Sequence, residues 1–256
     1  MDTLKRNISV ESKDNITAII LCGGLGTRLR TITHDLLPKP MVEVASRPFL
    51  EYLLDYLISQ GVKKAVLAVS YHKELILEHF GNQYRDLNII YSVEEQPLGT
   101  GGAIKHAMQH YVDPSSELVL ILNGDTFVEY DLDDMLNKIE SMNNKLVMAV
   151  KSFPNTDRYG RVTVNEDAKI TAFEEKKSGE SGQINAGVYL LVTSFIDHFP
   201  QLTKFSFETD FLENRVDKNE IYASNVSGYF IDIGVPKDYH CAQIDFNNEL
   251  VFKYEE

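Results

Sequence analysis

The sequence predicts an α/β fold, in which a mostly parallel sheet carries helices on both faces. Two observations lead to this prediction. Along the first half of the chain, short apolar runs alternate with segments whose apolar residues recur at helical spacing. Strands that alternate with helices are joined by right-handed crossovers, which make neighbouring strands parallel. The length of 256 residues and the hydrophobic content of 43% suit one large domain with a sizeable core.

Five strands are predicted in the first half of the chain. Each is a short apolar run bounded by polar or turn residues, and the runs are 16–21, 65–70, 87–93, 118–122 and 146–150. Between the first two, residues 49–58 repeat their apolar side chains at helical spacing, and Gly61 follows as a terminating residue. A second helix is predicted over residues 74–80, and Gly81 ends it in the same way.

From about residue 153 the pattern changes to shorter alternating runs. RVTVNE, KITAFEE and INAGVYLL predict a small antiparallel element laid over one end of the sheet. A helix at about 236–250 closes the fold. Residues 1–15 are polar and unpatterned, so we expect a flexible extension before a single domain of residues 16–256. Within that domain, the boundary between its two main parts is expected near residue 150.

The net charge and the cysteine content limit the molecules and metal ions that the protein is expected to bind. The net charge of -13 argues against nucleic acid and anionic membranes, although a local cationic pocket can still bind a small anion. Cys22 and Cys241 lie far apart without metal-type spacing, so we expect two reduced thiols. No apolar stretch reaches the roughly 20 residues that span a bilayer, and the first residues lack the apolar centre of a secretory signal. We therefore expect a cytoplasmic protein.

The segment LCGGLGTRLR, residues 21–30, leaves the carboxyl end of the first predicted strand, where open α/β sheets bind ligands. Gly23, Gly24 and Gly26 let backbone N–H groups approach an anion without a Cβ in the way. Arg28 adds a planar, permanently charged group suited to phosphate. The loop therefore predicts a polyphosphate ligand. Glycines that only turn a corner remain an alternative for this stretch taken alone.

Two better-known phosphate loops fit this segment poorly. The pattern GxxxxGK[ST] is absent, because no Gly-Lys-Ser/Thr follows. The dinucleotide fingerprint GxGxxG fits only at residues 24–29, where Leu29 replaces the third glycine.

The next segment, LLPKPMVEV at residues 36–44, holds a lysine between two prolines. Pro38 and Pro40 fix φ and bias the residue before each of them toward an extended conformation, so we expect Lys39 to be rigidly presented. Alone, Lys39 would be interpreted equally well as a surface lysine. Its closeness in sequence to Arg28 favours the second cation of one site.

GGLGTRL at residues 23–29, followed by PKP at 38–40, resembles the signature of the sugar-1-phosphate nucleotidyltransferases, also called nucleotide-sugar pyrophosphorylases. The resemblance continues over essentially everything after residue 15. It implies the nucleotide-diphospho-sugar transferase fold, with a nucleotide-binding part at about 16–150 and a sugar-binding part at about 151–235. It also implies a nucleoside triphosphate and a sugar 1-phosphate as substrates, with Arg28 and Lys39 as catalytic residues on their phosphates.

The family binds its nucleotide through two loops. In EEQPLGTGGAIKHA, residues 94–107, the position of Gln96 bonds the base edge and Gly99 leaves room for the ring. A Gln amide offers the donor and the acceptor that a base edge requires. Without the first motif, a helix N-terminus with a glycine turn is an alternative for this segment. The predicted nucleotide-binding residues are Leu21, Gly23, Gly24, Gly26, Thr27, Gln96, Gly99 and Thr100.

Two acidic residues each close a short apolar run, Asp125 after LVLILNG and Asp232 within YFIDIGVPKDY. An acid beside phosphates requires a cation between them, and Mg²⁺ prefers one or two carboxylates together with phosphate oxygens. The family places its metal-binding pair at these positions, so we expect Asp125 and Asp232 to hold Mg²⁺. Alone, each would be interpreted as a capping or turn residue.

For the sugar phosphate, the resemblance implies a carboxylate that accepts from hydroxyls, a lysine that meets the phosphate, and an Asn-Ala-Gly turn. The predicted residues are Gly160, Glu175, Lys176, Asn185 and Gly187. The family often has proline after this lysine, whereas Lys177 follows here, so the local turn is expected to differ.

Several segments together resemble the branch that joins GTP to D-glycero-α-D-manno-heptose 1-phosphate, giving GDP-heptose for bacterial surface glycans. They are GGLGTRLR, EEQPLGTGGAI, NGDTF, FSFETDFL and YFIDIGVPKDY. Mannose-1-phosphate guanylyltransferases and uridylyl- or thymidylyltransferases share the same spacing and stay open as alternatives. So does a catalytically silent regulatory relative, although such proteins tend to lose cations or acids that this chain keeps. Relatives often form dimers, which makes a homodimer an expectation as well.

Overall fold

The computed structural model describes most of the chain, namely residues 13–24, 26–141, 145–174, 180–248 and 250–251, with only the backbone at Asp14 and Glu174. The described strands are β1 (Thr17–Leu21), β2 (Glu43–Val44), β3 (Arg47–Pro48), β4 (Lys64–Val69), β5 (Gln83–Tyr84), β6 (Leu87–Val93), β7 (Leu118–Asn123), β8 (Thr126–Val128), β9 (Leu146–Phe153), β10 (Arg161–Val164), β11 (Ile170–Glu174), β12 (Gly182–Val192), β13 (Ile221–Asn225) and β14 (Phe230–Asp232). The described helices are α1 (Arg30–Thr33), α2 (Phe49–Ser59), α3 (Lys73–Phe80), α4 (Gly99–Tyr111), α5 (Leu132–Ser141) and α6 (Pro236–Asn247).

Four parallel strands, in the order β7, β1, β4 and β6, form the centre of the sheet. Thr17 at the start of β1 lies opposite Lys64 on one side and Val119 on the other. The near-continuous apolar runs of these four strands fit strands that are covered on both faces of the sheet. All five predicted strands are confirmed, with bounds that shift by at most a few residues.

The second half of the chain extends this sheet with antiparallel strands. β12 pairs antiparallel with β7, and β10 and β11 follow it to the edge, while β9 pairs with β12 and with β13. Within the described residues, ten strands thus form one sheet. The predicted antiparallel runs are present, but their predicted position over the sheet is wrong. A register shift between Asn185 and Tyr189 bends β12, so that this one long strand joins both parts.

Two further strand pairs lie apart from this sheet. β2 pairs with β3, and β8 pairs antiparallel with β14, with Asp232 opposite Thr126. The second pair matters for the site, because it joins a segment directly after β7 to a segment near the end of the described chain.

The three helices with predicted bounds, α2, α3 and α6, end close to those bounds. α2 begins after Pro48, and Gly61 just beyond its end has φ +86°, a value that L side chains rarely adopt. α3 ends at Gly81, with φ +57°. α6 stops at Asn247, earlier than predicted.

Apolar side chains pack on both faces of the sheet, which confirms the α/β class. On one face Leu53 and Leu57 of α2 join a cluster with Phe127, and on the other Ile104 of α4 packs with Ile19. Among the described residues, no helix is long and apolar enough to cross a membrane. Near the start, Lys13–Asn15 form a 3₁₀ turn, and Lys13 Nζ lies 2.8 Å from Asp133 Oδ2. Residues 1–12 of the predicted extension lie outside the described residues.

Candidate active site

A cavity of about 460 Å³ opens where β1 and β7 end, at the carboxyl edge of the parallel strands. Ten predicted site residues line it. They are Leu21, Gly24, Arg28, Lys39, Thr100, Asp125, Gly160, Asn185, Gly187 and Asp232. Gly23, Gly26, Thr27, Gln96 and Gly99 are not part of its lining. Glu175 and Lys176 lie outside the described residues.

The three glycines of the first loop differ in what surrounds them. A Cβ on Gly23 would lie 2.9 Å from Glu94 Oε1, and a Cβ on Gly26, which has φ +63°, would lie 2.9 Å from Lys39 Cγ. Position 26 therefore needs glycine for its backbone conformation and its packing, whereas the nearest atom at Gly23 is the end of a flexible side chain that can shift. Gly24 is exposed, and no described atom lies within 4 Å of the place its Cβ would take. Its missing side chain keeps the cavity open at the loop.

Lys39 is held by Asp125, an acid just after the end of β7. Its Nζ lies 2.8 Å from Asp125 Oδ2, and 12% of its side chain is exposed. The predicted rigid presentation is present, but the extended conformation expected at Lys39 is wrong. Pro38 is extended, whereas Lys39 begins a 3₁₀ turn that Met41 closes by donating its N–H to the Pro38 carbonyl. That hydrogen bond outweighs the bias that the following proline imposes.

Arg28, in contrast, lies on the open side of the cavity. It is exposed, and no described residue pairs with its guanidinium. An unpaired guanidinium at the rim is available for an anionic ligand.

Asp125 and Asp232 are brought together by the β8–β14 pair. Ile233 donates its backbone N–H to the Asp125 carbonyl at 3.0 Å, and Asp232 Oδ1 accepts from the Gly234 N–H at 2.6 Å. Burial, and after it the charge of Asp125, raises the pKa of Asp232.

The donor set at this point fits a hard divalent cation. Two carboxylates that repel each other face a cavity between Lys39 and Arg158, and a cation between them relieves that repulsion. Among the described residues no third acidic, histidine or cysteine ligand joins them. Mg²⁺ needs no third one, since it keeps waters and substrate phosphate oxygens as its other ligands.

Arg158 is a cavity residue that sequence reasoning missed. Its guanidinium contacts Asp238 of α6, and its Nη2 lies 3.4 Å from Asp232 Oδ2. It also lies over the ring of Tyr159, with 5.4 Å between Cζ and the ring centroid. The segment RYG contains it two residues before the predicted Gly160, but its partners come from distant segments.

The far wall of the cavity carries the predicted Asn185 and Gly187. Asn185 donates from Nδ2 to the Tyr189 hydroxyl at 2.6 Å, and its Oδ1 accepts from the Gly187 N–H at 3.0 Å. Gly187 has φ +76°, and a Cβ there would lie 2.6 Å from Asn123 Nδ2. The Asn-Ala-Gly turn is therefore shaped by the strand bend in β12 and fixed by its own hydrogen bonds.

The loop that opens α4 is exposed at both Gln96 and Gly99, but Gly99 lies close to the backbone of Phe205. Gly99 has φ +72°, and a Cβ there would lie 2.5 Å from the Phe205 carbonyl oxygen. The close approach of this carbonyl explains why position 99 is a glycine, and no bound ligand is needed for that explanation. Base recognition by Gln96 and Gly99 therefore stays a prediction. Thr100 faces the cavity and donates from Oγ1 to Glu208 Oε2 at 2.7 Å.

Comparison with known proteins gives consistent matches over almost the whole chain. The family model described as Nucleotidyl transferase matches residues 17–249. The D-glycero-alpha-D-manno-heptose 1-phosphate guanylyltransferase of Campylobacter jejuni is 44% identical over 223 residues, 87% of this chain and 96% of that protein. The protein of the same name from Aneurinibacillus thermoaerophilus is 42% identical, over 91% of this chain and 99% of its own length.

A solved structure also matches. The crystal structure of HddC from Yersinia pseudotuberculosis complexed with GMP-PN has a TM-score of 0.77 and 36% sequence identity, over 90% of this chain and 99% of that chain.

Proposed function

The chain belongs to the nucleotidyl transferase family, and we propose that it transfers the guanylyl group of GTP to D-glycero-α-D-manno-heptose 1-phosphate, giving GDP-heptose and pyrophosphate. Two relatives that are 44% and 42% identical carry the name of that enzyme. The observation that supports the reaction most directly is that Arg28, Lys39, Asp125 and Asp232 all line one cavity.

In this reaction an oxygen of the sugar phosphate attacks the α-phosphorus of the triphosphate. The new P–O bond forms as the bond between the α-phosphorus and the bridging oxygen breaks, and that oxygen leaves with pyrophosphate. A phosphate monoester, with a second pKa of about 6, is already largely ionised at neutral pH, so no strong general base is needed. Alignment and charge neutralisation therefore supply most of the rate enhancement.

The two cations occupy different surroundings, which suits different roles. Lys39 is held by Asp125 in the interior of the cavity, where it draws the two reacting phosphates together. Arg28 lies exposed at the rim, where it contacts the departing pyrophosphate. Both positive charges stabilise the negative charge that develops in the transition state. Electrostatic stabilisation at that stage raises the rate.

Asp125 and Asp232 would hold Mg²⁺, which supplies charge neutralisation at the phosphates when it is bound. Arg158 holds the side chain of Asp232 from one side, while the Gly234 N–H holds it from the other. These contacts fix the carboxylate of Asp232 before any ion arrives. Such preorganisation lowers the reorganisation needed on binding.

The test is a matrix of GTP, ATP, CTP, UTP and dTTP against heptose, mannose, glucose and muramic acid 1-phosphates, read by pyrophosphate release. We expect turnover of heptose 1-phosphate with GTP. A preference for mannose 1-phosphate, UTP or dTTP would replace the narrow assignment by one of those activities. No release with any pair would favour a silent regulatory relative.

A matched pair of variants shows whether the described cavity is where the reaction occurs. Arg28→Ala removes an unpaired guanidinium from the cavity lining, whereas Arg30→Ala removes an exposed guanidinium two residues away that pairs with Asp35 at 2.7 Å. Only the first should lower the rate. Equal rates for both variants would contradict a role for Arg28.

A further inference from the structure

Glu208 is an acid in the cavity wall for which the proposed reaction gives no role. It lies in a π-helical segment, Phe207–Leu212, a rare geometry that is frequent at functional sites. A third acid in a cavity for two anionic substrates is unfavourable unless it faces a different part of a ligand. The question is therefore which group Glu208 faces.

One oxygen of Glu208 is held in place by two hydroxyls. Its Oε2 accepts from Thr100 Oγ1 at 2.7 Å and from Ser206 Oγ at 2.9 Å. Thr100 Oγ1 accepts in turn from the Phe207 N–H at 2.8 Å, and Ser206 Oγ accepts from the Thr209 N–H at 3.2 Å. Because each hydroxyl already accepts from a backbone N–H, its own proton is directed to Oε2.

The other oxygen, Oε1, has no hydrogen-bond or ion-pair partner among the described residues. Glu208 is half-buried and lines the cavity, so this oxygen is an acceptor that a bound molecule can reach. A fixed carboxylate with one free oxygen selects a neutral hydrogen-bond donor and disfavours phosphate.

Glu208 contacts Thr100, a predicted nucleotide-binding residue, and its other neighbours lead to the predicted sugar-phosphate residues. The ring of Tyr189 lies 5.1 Å from that of Phe207, the residue before Glu208, and after burial the charge of Glu208 is the next cause that raises the pKa of Tyr189. Tyr189 accepts the hydrogen bond from Asn185, one of the predicted sugar-phosphate residues. The cations Lys39 and Arg158 are instead paired with Asp125 and Asp232.

We propose that Glu208 is a specificity-determining residue that accepts a hydrogen bond from a hydroxyl of the sugar 1-phosphate. This inference rests on the proposed function, since it assumes a sugar phosphate as the second substrate. Sugar hydroxyls are neutral donors, and a site built to bond a hydroxyl strongly rejects an analogue that lacks it.

The test is Glu208→Gln, which keeps the shape of the side chain. The amide oxygen can still accept from Thr100 and Ser206, while an NH₂ group replaces Oε1 and turns the free acceptor into a donor. We expect the KM for the sugar 1-phosphate to rise roughly tenfold or more, with the KM for the triphosphate within about twofold of wild type. Asp210→Asn is the matched control, because Asp210 lies in the same segment but outside the cavity lining.

Deoxy analogues of the sugar 1-phosphate then identify the hydroxyl. The analogue that lacks it should bind wild type more weakly and should lose nothing further in Glu208→Gln, whereas the other analogues should keep the full effect of the substitution. An unchanged KM for every sugar, or a rise confined to GTP as expected for contact with guanine, would overturn the proposal.

Calorimetry separates this proposal from the proposed function. Binding of each sugar 1-phosphate to wild type and to Glu208→Gln requires no turnover, and thermal unfolding checks that the variant folds. If wild type prefers another sugar or base in the assay, the specific assignment fails while the Glu208 effect persists with the preferred sugar. If wild type turns over heptose 1-phosphate but Glu208→Gln binds it equally well, only the Glu208 proposal fails. If no sugar 1-phosphate binds wild type, both fail.

Discussion

Lys39 and Asp125 form an ion pair, with 2.8 Å between Nζ and Oδ2. The pair joins the turn between two prolines to the segment that follows β7. It gives the lysine one position before substrate arrives, and it places a positive charge beside one member of a carboxylate pair. The position of the Lys39 charge therefore depends on a contact between distant segments.

Lys39→Ala should lower kcat by at least about a hundredfold, the usual cost of removing one preorganised donor to a transition-state anion. Single-turnover measurements at saturating GTP test this directly. Lys63→Ala is the control, because Lys63 forms an exposed ion pair with Asp86 far from the cavity lining. A Lys39→Ala enzyme with near wild-type kcat would remove this residue from the mechanism.

Chelation of divalent ions should abolish turnover, and added Mg²⁺ should restore it, because Asp125 and Asp232 need a cation beside bound phosphates. In thermal unfolding, Mg²⁺ with GTP should raise the Tm of wild type and of Asp133→Asn, whose acid pairs with Lys13 elsewhere. Asp125→Asn and Asp232→Asn should lose the part of that rise that depends on Mg²⁺. Full retention of this part in the double variant would exclude these carboxylates as ligands.

Gly24→Ala should raise the KM for GTP while leaving the free energy of unfolding nearly unchanged. The new methyl group meets no described atom within 4 Å, yet it projects where the triphosphate is proposed to bind. Urea unfolding together with initial-rate kinetics separates the two effects. A loss of stability without a change in KM would show that Gly24 serves the fold alone.

Gly99→Ala, in contrast to Gly24→Ala, should lower the free energy of unfolding measured with urea. Its Cβ would lie 2.5 Å from the Phe205 carbonyl oxygen at φ +72°. The left-handed conformation alone costs about 1 kcal/mol or more. Undiminished stability in Gly99→Ala would contradict the close approach seen here.

His106 should make stability depend on pH below neutrality. Burial, and then the charge of His110, lowers the pKa of His106 from its ordinary 6.5. The unfolded chain therefore binds this proton more readily, and the free energy of unfolding falls as the pH drops through 6.5 toward the lower folded value.

Urea unfolding between pH 7.5 and 5 measures this effect. His106→Gln should flatten the pH dependence in that window. His110→Gln should flatten it only partly, because it removes the second cause and leaves burial in place. An identical slope in wild type and His106→Gln would show that other groups control acid stability.

The parallel strands and the ends of α2 and α3 were predictable because they depend on local pattern. β1, β4, β6 and β7 are continuous apolar runs, and Gly81 ends α3 through a conformation that suits glycine. The cavity residues of the first loop were predictable for the same reason, since one short motif contains both the glycines and Arg28.

Features that depend on distant contacts were missed. The turn at Lys39 is set by a hydrogen bond from Met41, which competes with the bias before proline. The way β12 joins two parts of the sheet depends on a bend that alternation of residues does not reveal. Arg158 and Glu208 reach the cavity through partners on other elements, Asp238 in the first case and Thr100 in the second.

The pairing of β8 with β14 has a consequence for how the protein is made. During synthesis Asp125 emerges from the ribosome long before Asp232, because the strand that carries Asp232 is the last of the described strands along the chain. A nascent chain can therefore assemble its central strands, Arg28 and Lys39 early, at a stage when it contains Asp125 but not yet Asp232. Products that stop before β14 would therefore lack one of the two proposed metal ligands, and we expect them to be inactive.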